Sequence, residues 1–460
     1  MKDFGFRHAL KFIPPLDSDY RPIVMENFAY KKTLENAQKE PVKIAIEREN
    51  GLISVYNTEI FRWQNYDDNK VYIERLIKTL LWLKGGWKIT VGGPEYIGKY
   101  IKESYAMDGQ REFDVIWMKK VYNKEIEVVV TKVDRVPVKN ESPKKVGGNL
   151  DGNRIGFDAG GSDRKVSAVV NGNSIYSEEV VWHPKLSEDP QYQYDGILDS
   201  MKTAASKMDS VDAIGVSAAG IYIDNEVKAA SLFMRVPDDL FEKKVRNMFL
   251  DLSSAMGDVP IEVTNDGDVT ALAGAMSLGE NRILGIAMGT SEAAGYVDEN
   301  GFITGWLNEL AFCPVDYSIN AMQDEWSIDY GVGCKYFSQD SVIKLAKNGG
   351  IKLDDTLSPA EKLKVVQHLM KDGDETAKKI YVSIGYYLGY SLAYYAEFYD
   401  INHVLLLGRV TSGQGGDIIV EKAKDVLKEE FPMLKIKLSM PDEKARRVGQ
   451  SVAAASLPKI

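Results

Sequence analysis

Asp158 ends an alternating segment and is followed closely by Gly160, Gly161 and Ser162. The alternation of apolar residues on both sides of the glycines predicts a strand, a tight turn and a second strand over residues 154–170. Glycines in such a turn permit positive φ angles and let backbone N–H groups approach an anion. Asp158 could then orient a metal-bound water, and Ser162 could donate to a phosphate oxygen. An ordinary hairpin is the alternative, because short glycine motifs are common.

Two later segments repeat the pattern of a strand followed by small residues. Residues 282–287 predict a strand that leads into Gly289 and Thr290, and residues 402–407 predict one that leads into a glycine-rich loop, residues 408–416. The first two units lie roughly 130 residues apart. They predict a duplicated fold with one phosphate-binding turn in each half.

Asp266 lies where another predicted strand, residues 259–263, gives way to a predicted helix, residues 269–278. A carboxylate at such a junction is a common helix N-cap, and this is the structural alternative for Asp266 and Asp268. The chemical reading is that of a base. A free aspartate has a pKa of about 3.9, so it is ionised at neutral pH and can accept a proton from a hydroxyl group.

The composition limits the classes of function. The chain has 460 residues and a net charge of −10, which gives no case for nucleic-acid binding by the chain as a whole. Its two cysteines exclude a disulfide framework and any zinc site built from several cysteines. No signal peptide and no apolar run of membrane-spanning length is found. We therefore expect a cytoplasmic protein that binds neither nucleic acid nor membrane.

Alternating strands and helices predict an α/β fold with mixed sheets after residue 150, preceded by an α+β unit in residues 1–150. Within that unit we expect a hairpin around Asn50-Gly51, helices over residues 72–83 and 96–105, and two strands within residues 114–130. Residues 136–153 read as a linker. The tryptophans of the unit favour core packing over a ligand groove; they are Trp63, Trp82, Trp87 and Trp117.

Residues 154–457 resemble the ROK family of sugar kinases and regulators, which has the actin/hexokinase-type (ribonuclease H-like) fold in two lobes. The matching segments fall in the family's order: Gly156–Ser162 (GFDAGGS), Ile214–Gly220 (IGVSAAG), Asn265-Asp266, Gly289-Thr290 with Gly295, Leu405–Gly413 (LLLGRVTSG) and Gly449–Ala454. The resemblance implies a small lobe of residues 154–267 plus 446–460 and a large lobe of residues 268–445. Large lobes of the family often dimerise, so a homodimer is compatible with it.

The resemblance also implies roles for individual residues. Asp266 matches the general base, and Asn265, Glu309 and Gly220 match substrate-binding positions. The positions implied for the nucleotide and its phosphates are Asp158, which would hold Mg²⁺ through a water, and Gly160, Gly161, Ser162, Gly289, Thr290, Gly408 and Gly413.

Several positions depart from the family pattern. Phe312 replaces a histidine, which would place an apolar ring beside the sugar, and Lys335 or Tyr336 replaces a glutamate that contacts the sugar. Glu292 replaces a residue of the second turn, where it would repel phosphates if the loop kept its shape. Arg409 replaces a glycine, and the zinc motif is reduced to one cysteine, Cys334, so no structural zinc is expected.

Three hypotheses follow from these residues. The first is a kinase that uses ATP and Mg²⁺ to phosphorylate a hydroxyl of a sugar or sugar derivative, with Asp266 as base. The second is a catalytically weak or inactive protein of the same fold that senses a sugar or nucleotide, and the departures from the pattern favour it. The third is a kinase with a substrate other than a sugar, including an acyl phosphate-forming enzyme.

Overall fold

The computed structural model of the protein describes residues 3–141, 145–440 and 443–460, with residues 443–448 described by their backbone alone. Its strands are β1 Lys39–Glu47, β2 Ile53–Phe61, β3 Lys88–Gly92, β4 Glu127–Thr131, β5 Asn153–Ala159, β6 Asp163–Val170, β7 Asn173–Val181, β8 Ala213–Ala218, β9 Ile221–Ile223, β10 Glu226–Ala229, β11 Ile261–Asn265, β12 Ile283–Met288, β13 Glu292–Val297, β14 His403–Leu407 and β15 Lys437–Ser439. Its helices are α1 Ile23–Leu34, α2 Tyr66–Lys84, α3 Glu95–Ser104, α4 Glu112–Tyr122, α5 Gln191–Ala205, α6 Asp238–Leu240, α7 Met248–Ala255, α8 Asp266–Leu278, α9 Gln339–Asn348, α10 Pro359–Lys371, α11 Glu375–Tyr395, α12 Gln414–Glu430 and α13 Glu443–Ala455.

The first large sheet has the strand order β11-β8-β5-β6-β7. Strands β5, β6 and β7 are antiparallel neighbours, as the predicted hairpin over residues 154–170 requires, and β5, β8 and β11 are parallel. The carboxyl ends of three parallel strands therefore meet at one edge of the sheet. Ser217 of β8 lies opposite both Asp158 and Thr264 there.

The second large sheet, β13-β12-β14-β15, repeats this plan in reduced form. An antiparallel hairpin, β12 and β13, is followed by the parallel strands β14 and β15. The third antiparallel strand is reduced to a single bridge between Val297 and Ile303 in the described part of the chain. The predicted α/β fold of two duplicated halves with mixed sheets is confirmed.

Two helices connect the halves. Helix α13 packs so closely on the first sheet that a Cβ at Gly156 or Gly215 would clash with its backbone. Helix α8 starts directly after β11 and lies against β13, where a Cβ on Gly267 would meet the carbonyl oxygen of Ala294 at 2.5 Å. Glycine is thus required for the close approach of α8 to the second sheet.

The N-terminal unit contains a four-stranded sheet, β2-β1-β3-β4, covered by helices. The predicted hairpin is confirmed, and Asn50 and Gly51 in its turn have φ angles of 55° and 69°. The prediction of two strands within residues 114–130 is wrong, because α4 occupies residues 112–122 and only β4 is a strand. Val115, Met118 and Val121 are buried at intervals of three residues, which is a helical spacing that a reading of strand alternation misses.

The N-terminal unit and the second half of the chain share one hydrophobic core, in which Phe4 stacks on Tyr317 with ring centroids 4.5 Å apart. The predicted tryptophan packing is confirmed for Trp82, which is buried, and wrong for Trp63, which is 65 % exposed. The predicted linker pairs with both sides, through Asn140 with Ile53 and Val146 with Ile303; its residues 142–144 lie outside the described residues.

A buried ion cluster strengthens this interface. Asp329 lies 2.7 Å from both Arg75 and Arg111 and 3.4 Å from Lys78. Burial alone would raise the pKa of Asp329, but the three cations hold it well below its usual range.

Among the described helices, none combines the length and apolar character needed to cross a membrane.

Candidate functional site

Asp158 occupies the carboxyl end of β5, where it is 7 % exposed. Its Oδ1 accepts a hydrogen bond of 2.8 Å from Ser217 Oγ, and Lys165 Nζ lies 3.9 Å from Oδ2. Burial raises the pKa of Asp158 to about 6, although the hydroxyl and the ammonium oppose that rise. A carboxylate therefore lies at the edge of the sheet directly before the first turn.

Neither Gly160 nor Gly161 in the first turn has a positive φ angle, contrary to expectation. Both glycines instead lie close to neighbouring groups. A Cβ on Gly160 would lie 2.6 Å from the carbonyl oxygen of Asp163, and one on Gly161 would lie 3.2 Å from Lys185 Nζ. Ser162 Oγ donates to the Asp163 side chain. Lys185 thus reaches the first turn from the short 3₁₀ helix that follows β7.

Asn265 and Gly220 are brought together at the end of the first sheet. Asn265 Nδ2 donates to the carbonyl oxygen of Gly220 at 2.7 Å, and Asn265 Oδ1 accepts from Gly267 N at 2.7 Å. The N-cap of α8 is therefore Asn265, and the capping alternative for Asp266 and Asp268 is wrong.

Asp266 is the first residue of α8 and its side chain is half-buried. Burial raises its pKa, while the amide groups at the start of the helix and the ammonium of Lys185 oppose that rise. Burial, together with the charge of Asp266, raises the pKa of Glu309 to about 7. The predicted base and the predicted substrate glutamate thus lie in one electrostatic environment, with Lys185 beside them.

Asp268 is a structural carboxylate. It is buried, and its Oδ1 accepts hydrogen bonds from Tyr296 N at 3.0 Å and Asn308 Nδ2 at 2.9 Å. Burial raises its pKa to about 7, against the effect of those two donors. Asp268 thereby ties α8 to β13 and to the segment that carries Glu309.

The N-terminal unit holds that segment from the other side. The backbone N–H of Glu309 donates to the carbonyl oxygen of Trp82 at 3.1 Å, and that of Asn308 donates to Leu83 at 3.0 Å. Both acceptors belong to the last turn of α2, where helix carbonyls lack partners within the helix. Glu309 is therefore positioned by an element outside the two duplicated halves.

Phe312 lies against the N-terminal unit; its expected position beside the sugar stays a prediction. Its ring centroid is 4.4 Å from that of Trp82 and 5.3 Å from that of Phe113. Tyr336 is fully buried, and its hydroxyl donates to Asp316 Oδ2 at 2.5 Å. Both departures from the family pattern serve packing at the N-terminal interface.

The second turn, residues 289–291, follows β12 as predicted. Gly289 N donates to Ser291 O at 3.0 Å, and Gly289 O accepts from Gln339 N at 2.9 Å, while Thr290 is exposed. The expectation that Glu292 repels phosphates is wrong, because Glu292 is 4 % exposed and belongs to β13. Neither carboxyl oxygen of Glu292 has a hydrogen-bond partner among the described residues. Burial raises the pKa of Glu292 well above the usual value.

The third loop lies beside the second turn. Gly408 has a φ angle of 98°, and its Cα is so close to the backbone of Met288 that no Cβ fits. Gly413, with a φ angle of 72°, precedes α12 and is exposed. The structure therefore places Gly289, Thr290, Gly408 and Gly413 around one end of the second sheet, while Asp158 and residues 160–162 lie at the end of the first.

Sequence reasoning missed Lys185 and Gln450. Lys185 follows β7 with no motif around it. Gln450 of α13 is 3.5 Å from Asp158 Oδ1 and 3.4 Å from Ser217 Oγ. In the described part of the chain, no group of three or more His, Cys, Asp or Glu side chains is placed to hold a metal ion.

Comparison with known proteins gives the fold. No protein-family model matches the chain, and no curated protein matches its sequence significantly. The crystal structure of the ROK hexokinase from Thermus thermophilus matches with a TM-score of 0.52 and 16 % identity, over 65 % of this chain and 97 % of that one. The chain has the ROK fold. A ROK family transcriptional regulator, a homologue of the E. coli MLC protein, matches with a TM-score of 0.53 and 17 % identity, over 67 % of this chain and 79 % of that one.

Proposed function

We propose that the protein is a kinase that transfers the γ-phosphoryl group of ATP, with Mg²⁺, to a hydroxyl of a sugar or sugar derivative. The observation that carries this proposal is the position of Asp266, which directly follows β11 of the first sheet and starts the helix that packs against β13 of the second. We assign residues 154–267 and 446–460 to a small lobe and residues 268–445 to a large lobe, which would close around the substrates and exclude water.

Asp266 would accept the proton of the attacking hydroxyl as its oxygen bonds to phosphorus and the bond to ADP breaks. Glu309, Asn265 and Gly220 would hold the sugar. The amides of residues 160–162 and 289–290 would approach the phosphates, and Gly408 and Gly413 would lie on the adenosine side. We add Lys185, whose ammonium lies close to Gly161 of the first turn, lowers the pKa of Asp266 and would offset the charge of the transferred group.

Asp158 fits a Mg²⁺ ion carried by the nucleotide. Protein sites for this ion often use one or two carboxylates with several waters and substrate phosphates, so a three-residue cluster is not required. Among the described side chains, the nearest cation to Asp158 Oδ2 is Lys165 at 3.9 Å, so this oxygen could accept a hydrogen bond from a bound water. When bound, Mg²⁺ would supply charge neutralisation at the phosphates.

The test is an ADP-release assay with Mg-ATP against hexoses, amino sugars and polyols. We expect turnover by the wild type and a loss of at least about 100-fold in Asp266→Asn, since general base catalysis contributes about 10²–10⁴-fold. The melting temperature of the variant should stay within a few degrees of the wild type. Turnover that survives in Asp266→Asn would overturn the assignment of the base.

A sensor without turnover is the second candidate. The observation that favours it is the use of Phe312 and Tyr336 in packing against the N-terminal unit. One protein with the same fold is described as a transcriptional regulator. A sugar or nucleotide that raises the melting temperature with no turnover for any substrate would favour this candidate.

A further inference from the structure

A cavity of about 150 Å³ lies where the N-terminal unit faces both halves of the chain. The N-terminal unit contributes Glu49, Asn50, Leu52 and Tyr122 to its wall. The first half contributes the segments 220–224 and 262–265, and the second half contributes Asp268 and residues 303–307. The cavity therefore begins at Gly220 and at Asn265, the residue directly before the proposed base, and extends towards the N-terminal hairpin.

The wall combines aromatic rings with hydrogen-bonding groups. Tyr122, Tyr222 and Trp306 line it, and such rings offer flat apolar faces to a ligand. Thr264 also lines it, and its hydroxyl is buried without a hydrogen-bond partner among the described residues. Pockets of this composition orient small ligands through a few polar groups on an apolar surface.

The charge of the wall excludes one class of ligand. Its ionisable acids are Glu49, Asp224, Glu262 and Asp268, and the described residues that line it include no lysine, arginine or histidine. An anionic ligand would meet these carboxylates, while the nearby cations Arg48 and Lys84 already contact Glu141 and the Trp306 ring; binding of an anion is therefore unfavourable. Hydroxyl groups, in contrast, can donate to carboxylate and amide oxygens.

Contacts with neighbouring side chains hold the N-terminal part of the wall. Arg48, next to Glu49, is buried and donates to Glu141 at 2.6 Å. Trp306 lies against Lys84, whose Nζ is 2.8 Å from the ring centroid. Helix α4, which carries Tyr122, also contacts β10 of the first half, where Lys120 lies 5.6 Å from the Phe241 ring. The hairpin and α4 are therefore held by contacts within the protein.

We propose that the N-terminal unit forms the outer wall of the substrate site, and that this wall selects an uncharged polyhydroxylated ring. In this arrangement Asn50 and Glu49 receive hydroxyl hydrogen bonds, Thr264 supplies one more, and the aromatic rings pack against the carbon face of the ligand. This inference rests on the proposed function only for which end of the ligand reacts. The binding of the ligand does not depend on the proposed function.

The experiment measures melting temperature without nucleotide, using glucose, mannose, N-acetylglucosamine and maltose as neutral probes and glucose 6-phosphate and gluconate as anionic ones. We expect at least one neutral probe, and neither anionic one, to stabilise the wild type. Leu52→Trp fills the cavity and should abolish that stabilisation, whereas Leu250→Trp, at an exposed site on α7, should leave it intact. Thr264→Val removes only a hydroxyl and should weaken binding about fivefold, as expected for one lost hydrogen bond.

The outcomes separate the two proposals. The proposal that the N-terminal unit forms the outer wall is overturned if neutral sugars still stabilise both Leu52→Trp and Thr264→Val. It is also overturned if only the anionic probes stabilise the wild type. Sugar turnover that is unaffected by both variants overturns it as well, in which case the kinase assignment stands. Sugar binding that both variants weaken, with no ADP release for any sugar, supports the wall and overturns the kinase assignment. Absence of stabilisation by every neutral probe overturns the wall whatever the nucleotide does.

Discussion

Replacing Gly295 by alanine tests whether the second sheet positions the proposed base. A Cβ on Gly295 would lie under 3.0 Å from the backbone of Gly267 and Asp268, immediately after Asp266. Carbon atoms prefer separations of about 3.5–4.0 Å, so the start of α8 must retreat from β13 by about 1 Å. Backbone atoms at a helix start cannot rotate away as a flexible side chain can, so the shift must carry Asp266 with it.

Two quantities follow from that displacement. Overpacking of a tightly packed core costs about 1–3 kcal/mol, so Gly295→Ala should lower the free energy of unfolding by that amount in a denaturant titration. A displacement of about 1 Å at a reacting group can reduce the rate about 100-fold, and the same loss is expected in ADP release. The matched control is Gly285→Ala on the neighbouring strand, directly opposite Gly295 in the register, where a Cβ would lie 3.5 Å from Ala271. If both variants melt and turn over alike, α8 is not positioned by this contact.

Three further predictions test other parts of the site. Lys185→Met should move the acidic limb of the pH–rate profile to higher pH. The reason is that Lys185 lowers the pKa of Asp266, and Asp266 must be ionised to act as the base. An acidic limb that does not move would show that Lys185 has no role in the mechanism. Glu292→Gln should raise the free energy of unfolding more at pH 8 than at pH 5.5 in denaturant titrations. The buried carboxyl of Glu292, with its raised pKa, keeps a proton that the unfolded chain releases above about pH 4.3, so the wild type loses stability as the pH rises and the glutamine variant does not. An increase in the free energy of unfolding that is independent of pH would contradict this. Asp329→Asn should cost about 3–5 kcal/mol, since it leaves buried cations with a neutral partner, and a loss under 1 kcal/mol would show that the cluster does not hold the interface.

The sequence predicted those features that arise from neighbouring residues. The two turns, at residues 160–162 and 289–291, follow from alternation interrupted by small residues, and both hairpins are present. The junction at Asp266 follows from a strand pattern that changes to a helical one. Within the N-terminal unit, α4 was misread because an apolar residue at every third position also satisfies part of a strand pattern.

The remaining features depend on contacts between residues far apart in the chain. Nothing around Glu292 indicates that its carboxyl faces the interior, because its direction is set by the register of β13 against β12. Lys185 meets the first turn only because β7 returns along β6. The partners of Phe312 are Trp82 and Phe113, which precede it by more than 190 residues. Such pairings are products of the tertiary fold and leave no local periodicity to read.

The position of the N-terminal unit explains why Phe312 and Tyr336 differ from the residues that the family pattern has at these two positions. A ring at residue 312 that packs on Trp82 gains apolar burial that a histidine would give only in part, and the phenol of Tyr336 donates a hydrogen bond to the buried carboxylate of Asp316. The same unit supplies the helix end that holds Glu309 and one wall of the cavity next to Asn265. Because that unit shares a core and a buried ion cluster with the second half, the lobe closure that we propose would have to be accommodated at its contacts with the first half. Under that proposal, substrate selection and lobe closure would be coupled through the face formed by the N-terminal hairpin and α4.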